Sequence, residues 1–124
     1  MAQSPQFDAF LVDLFANVPG VDFRRMFGGI GIFRQGLMFA LSTGEDRIAL
    51  KADKITIPDF EAENVEQWNT PTQRKSKPTA GYWDLPERML EDPEEFEKWA
   101  IKAFDAAIRA DAAKPPKQRK FKPI

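Results

Sequence analysis

A chain of 124 residues has room for one packed domain, and with 43% apolar and 30% charged residues it is neither disordered, collagen-like nor coiled-coil. It holds neither cysteine nor histidine, which excludes disulfides, thiolate chemistry, Ser-His and Cys-His nucleophiles, and zinc centres. The formal charge of −1 is uneven: residues 114–124 carry five basic residues and no acid, leaving a charge of −6 over residues 1–113, which disfavours phosphate backbones.

Residues 1–13 lack the basic and apolar regions of a signal peptide, and no stretch approaches the ~18 apolar residues of a membrane span. The expectation is a cytoplasmic protein with no membrane contact. Phe7, Phe10, Leu11, Leu14, Phe15 and Val18 recur at helical spacing, with Ser4 as cap and Pro5 at the first helical position. Val18-Pro19-Gly20 ends this helix.

From Arg24 the period becomes two. Gln35-Gly36 forms the centre of a tight hairpin, which sets Ile32 opposite Phe39 and Ile30 opposite Leu41. A second turn over residues 43–46 then sets Leu41 opposite Ile48 and Phe39 opposite Leu50. Both turns give one apolar face and a three-stranded meander. Beyond Asp53 the pattern weakens: Ile55 and Ile57 extend a strand up to Pro58, and Trp68 and the run from Lys75 to Trp83 add further strand. A short helical turn covers Pro86 to Leu90. The last helix is capped by Asp92, with Pro93 first and Glu95 at the capping-box position, and its stripe runs from Phe96 through Trp99, Phe104 and Ile108. Pro115-Pro116 stops it, and residues 114–124 read as a disordered basic tail that adds weak, salt-sensitive attraction to nucleic acid or an acidic partner.

The fold expected is therefore α+β: an antiparallel sheet with a meander, packed on one face by the N- and C-terminal helices, in one domain over 1–113. Its core includes Phe10, Leu14, Ile32, Phe39, Leu41, Leu50, Trp99 and Phe104. On the sheet's second face, Gly29, Gly31, Phe33, Met38, Ala40 and Ala49 are small or apolar, so a later segment around Trp68 or a second copy in a homodimer covers it.

Candidate chemistry is sparse. Asp59, Glu61, Glu63 and Glu66 lack the turn glycine and spacing of an EF-hand loop and read as a solvated loop. Gly28-Gly29-Ile30-Gly31 runs into a hairpin instead of a helix, so it offers no phosphate site of the dinucleotide kind. Arg25-Met26-Phe27-Gly28-Gly29-Ile30 lacks the glycine and aromatic placement of an RNA-recognition strand, and direct nucleic-acid binding by the body is not expected.

Arg24-Arg25-Met26-Phe27-Gly28-Gly29-Ile30-Gly31-Ile32-Phe33, Gly36-Leu37-Met38-Phe39-Ala40-Leu41 and Leu50-Lys51-Ala52-Asp53 together resemble the TfoX N-terminal domain family. Gly81-Tyr82-Trp83-Asp84-Leu85-Pro86 and Trp99-Ala100-Ile101-Lys102-Ala103 are similar to that family's later segments, so the likeness covers residues 7–112. The family is named for a regulator of natural competence, and its larger members carry a second, helical domain where this chain has its basic tail. The resemblance implies a stand-alone, non-enzymatic α+β domain with a regulatory role through a protein partner, and supplies no catalytic, metal or cofactor-binding residue. The alternative is a small-ligand or anion site using Arg24, Arg25 and Lys51 around the glycine strand; Phe33 and Met38, on the sheet's second face, are further candidate ligand or partner contacts.

Overall fold

The computed structural model describes residues 5–26, 29–43, 47–68 and 81–123. Helix α1 spans Pro5–Leu14 and runs on through turn hydrogen bonds, Phe15 N–H to Leu11 and Val18 N–H to Phe15, which bury Leu11, Phe15 and Val18. Phe10 corrects the expected core. Neighbouring helical residues project about 100° apart, so with Leu11 turned inward, Phe10 and Val12 fall on the two flanks, 36% and 54% exposed. Leu14 is half-buried, and Ser4 lies outside the described residues.

Among the described residues one antiparallel sheet has five strands in chain order: β1 Val21–Met26, β2 Gly29–Arg34, β3 Leu37–Thr43, β4 Arg47–Lys51 and β5 Tyr82–Asp84. The fold class is α+β as expected, and the meander is longer. Gln35 and Gly36 both have positive φ, 49° and 84°, as a two-residue hairpin turn requires.

The register differs from the expected one by a single residue. Arg34 pairs with Leu37 and Phe33 with Met38, but Ile32 then pairs with Ala40 and Ile30 with Ser42, so Phe39 is the extra residue of a bulge. Phe39 and Ala40 consequently both join the helix-facing cluster with Ile32 and Leu50. Every pairing beyond the bulge changes parity: Ala40 lies opposite Leu50 and Leu41 opposite Ala49. Leu41 is buried, but on the second face, in a cluster with Ala49, Trp68 and Tyr82. Trp68 thus covers part of that face from within the chain.

α1 and α3 (Pro93–Ala112) pack on the first face. Phe15 meets Phe96, Phe39 and Phe23 edge-on with centroids 4.9–6.0 Å apart, and Phe39 meets Phe104 at 5.7 Å. Each such ring removed from water stabilises the fold by roughly 1.5–3 kcal/mol before entropy is subtracted. Asp92 caps α3 by accepting the Glu95 N–H at 3.2 Å.

Residues 55–57 do not form a strand. The Asp53 carboxylate accepts the Ile55 and Thr56 N–H groups, Thr56 Oγ1 accepts the Asp53 N–H at 3.0 Å, and the chain enters α2, Ile57–Ala62. This reciprocal Asp53–Thr56 turn, with the Ile57 N–H on Asp53 O, leads the chain into the helix and outweighs the β-branched pattern. Strand structure near Trp68 is a single bridge, Gln67 to Trp83, and residues 75–80 of the expected strand lie outside the described residues. A 3₁₀ turn, Glu87–Glu91, precedes α3.

Residues 114–123, read from the sequence as a disordered tail, are held against the body here. After a 3₁₀ turn at Pro116–Gln118, the Asp111 carboxylate accepts the Lys120 and Phe121 N–H groups at 2.8 and 3.1 Å. Lys122 N–H then donates to Gln35 O at 2.8 Å. Arg119 donates to the Ala112 and Lys114 carbonyls, satisfying acceptors that the end of α3 leaves open.

Candidate functional site

Strand parity decides which of the expected site residues can meet. Phe23 and Arg25 point to the helix face, whereas Arg24 and Met26 point to the second face, because successive strand residues alternate. Arg25 is ion-paired with Asp8 of α1 at 2.9 Å. Arg24 lies over the Phe33 ring, 4.3 Å from its centroid. The grouping of Arg24 with Arg25 in one site is therefore corrected.

Three of the remaining expected residues do come together. Phe33 and Met38, cross-strand neighbours on β2 and β3, line one cleft of about 340 Å³ with Lys51 from the end of β4. The floor is apolar and closely packed: a Cβ on Gly31 would lie 2.7 Å from Met26 Sδ and 3.0 Å from both Met38 Sδ and Phe33 Cε1. The glycine of the Gly-Ile-Gly run thus serves side-chain packing over the sheet.

Lys114, Lys120 and Asp111 complete the cleft, and the sequence pattern did not point to them. The lysines were part of the presumed tail. Asp111 stands four residues after Ala107 in the buried stripe of α3, and an acid in that stripe was the available signal. The N–H groups of Lys120 and then Phe121 hold its carboxyl below the ordinary range. Burial, and next the charge of Lys114, holds the Lys51 ammonium below the ordinary lysine range, with Asp53 acting in the opposite sense. Lys51 Nζ also lies 5.1 Å from the centroid of Tyr82. The Tyr82 hydroxyl donates to Met38 O at 3.1 Å, and burial raises its pKa well above the usual tyrosine value, so it is a neutral structural donor.

Two further grooves border α1. On one side Phe7 and Phe10 face Ile48, Leu85 and Leu90 across about 270 Å³, rimmed by Arg47, whose Nη2 donates to both Asp84 carboxylate oxygens at 2.9 Å. On the other side Val12 faces Phe23 and Ile30, beside Asp8 and Arg25. Among the described residues no group of three or more His, Cys, Asp or Glu side chains could hold a metal ion, and no helix is long and apolar enough to cross a membrane.

A family model described as the TfoX N-terminal domain matches residues 13–107. A comparison with curated proteins gives no match.

Proposed function

Because the chain belongs to the TfoX N-terminal domain family, we propose that it is a non-enzymatic regulatory domain acting in the cytoplasm through a protein partner, in transcription or competence-type regulation. The observation that carries this reading is the surface of α1. Phe10 and Val12 flank its buried stripe, stay 36% and 54% exposed, and each edges a groove: Val12 one with Phe23 and Ile30, Phe10 one that mixes Phe7, Ile48, Leu85 and Leu90 with Arg47, Asp84 and Glu87. Here one helix offers apolar contact on each side, with the Arg25–Asp8 and Arg47–Asp84 pairs as a polar rim, the usual anatomy of a protein interface.

The test is capture of partners from native cytosol by the wild-type protein and by Phe10→Asp/Val12→Asp, followed by titration of the captured protein in purified form. Saturable binding that the double variant loses, while remaining folded, supports the reading. Equal affinity for both proteins sinks it. Sedimentation of the wild-type protein over the micromolar range shows whether a second copy is itself the partner.

A further inference from the structure

The cleft at the end of the hairpin has a chemistry that the α1 surface does not use. Its three lysines come from three stretches of chain: Lys51 from β4, Lys114 from just after α3, and Lys120 from the returning segment. Among the described residues none of the three is in an ion pair, as is also true of Arg24, Arg34, Lys54, Lys98, Lys117, Arg119 and Lys122; what sets these three apart is that they line one cleft. The carboxylate in the wall, Asp111, already accepts the Lys120 and Phe121 N–H groups, and Asp53 is bidentate to Arg109. Lys114 and Lys120 are exposed and Lys51 is partly buried, so three positive charges against one carboxylate in the lining leave the cleft net positive, a local field that favours an anion.

The rest of the lining sets the kind of anion. Met26, Phe33 and Met38 gather over Gly31 as an apolar floor, with one face of the Phe33 ring covered by Arg24, and this floor suits an aromatic ring or short acyl chain. The lining includes no Ser, Thr, Asn or Gln side chain. A sugar or nucleobase would leave its own polar groups without partners there, which argues against a nucleotide. A volume of about 340 Å³ is enough for a small molecule and too little for a folded segment.

We propose that this cleft binds a small organic carboxylate with an apolar body, its carboxylate held by Lys51, Lys114 and Lys120 and its body laid on Met26, Phe33 and Met38. Since Lys51 belongs to the sheet and Lys120 to the returning segment, the bound carboxylate ties that segment to the hairpin. The proposal rests on the cleft alone and is independent of what α1 contacts.

The test titrates the intact protein with phenylacetate, uncharged phenylacetamide and inorganic phosphate, following thermal stability and the methyl NMR signals of Met26 and Met38. The expected result is a saturable stability increase with phenylacetate, accompanied by shifts of both methyl signals. Phenylacetamide and phosphate each bind at least about ten-fold more weakly, one lacking the charge-assisted hydrogen bonds and the other the apolar contact. Lys51→Gln weakens phenylacetate by about ten-fold or more. Lys114→Gln/Lys120→Gln, which changes exposed side chains only, does the same without disturbing the core. No saturable response to phenylacetate up to about 10 mM, weaker than the affinities useful to such sites, overturns the proposal. So does an equal response to phenylacetamide, a response to phosphate alone, or phenylacetate binding that both lysine variants retain.

Discussion

Gly36 joins the hairpin to the segment that returns from α3, and replacing it separates two effects. Its φ is +84°, and a Cβ there would sit 2.3 Å from the Lys120 carbonyl oxygen, a backbone atom that no side-chain rotation can move away. Gly36→Ala therefore meets a left-handed backbone penalty of about 1–2 kcal/mol. It also pushes the segment off the turn, which breaks the Lys122 N–H to Gln35 O bond and the Gln35 Nε2 to Lys122 O bond, 2.8 and 3.3 Å long. Two such bonds contribute roughly 1–3 kcal/mol together. The total of about 2–5 kcal/mol lowers the urea midpoint by roughly 1–3 M. Gly36→Asn tolerates the positive φ far better than Ala but still carries the Cβ, so it isolates the clash. Urea unfolding combined with amide hydrogen exchange is the assay. Both variants should lose protection at the Lys122 amide, and Gly36→Ala should be the less stable. A Gly36→Asn protein as stable as wild type, with Lys122 still protected, would refute the placement of this segment.

The carboxyl of Asp111 is held low by the N–H groups of Lys120 and Phe121, so its contribution is fully present above the ordinary carboxylate range and is lost as pH falls through the depressed folded value. The protection factors for hydrogen exchange at Lys120 and Phe121 should fall on acidification below about pH 4, and Asp111→Asn should show weak protection at every pH. Phe39→Ala should cost about 3–5 kcal/mol in urea unfolding because the ring is fully buried, whereas Phe10→Ala should cost under about 1 kcal/mol. Leu41→Glu buries a charge beneath Trp68 and should destabilise by several kcal/mol, where a solvated second face would tolerate it. Val12→Asp should leave stability within about 0.5 kcal/mol of wild type.

What the sequence displayed clearly was local. The Asp92-Pro93 start of α3 and the Gln35-Gly36 turn depend on a few adjacent residues, and both stand as expected. Glu95 accepts the Trp99 indole N–H and leaves the Asp92 N–H to Met89 O instead of closing a capping box. The bulge at Phe39 depends on tertiary packing: Phe39 and Ala40 both gain burial by facing the helices, and an alternating pattern cannot express two consecutive inward residues. The Asp53 and Thr56 pair was present as a helix-start signal, but Ile55 and Ile57 at a spacing of two suggested a strand. In the site, Phe33, Met38 and Lys51 were legible because alternation puts them on one face. The same alternation forbids Arg24 and Arg25 from sharing a face, a consequence available from the period alone. The lysines after α3 looked like a solvated tail because charge runs usually are, and the residue that anchors them, Asp111, acts through backbone N–H groups nine and ten positions later in the chain.

The reading of α1 as a partner surface is tested most directly by photo-crosslinking in native cells from a reactive residue placed at position 12, with position 55 as control. Val12 and Ile55 are comparably exposed apolar residues, 54% and 63%, but only Val12 borders a groove beside α1. The account predicts a discrete adduct with one protein from position 12 that position 55 does not give and that Phe10→Asp abolishes. The same adducts from both positions, or none from position 12, would contradict it.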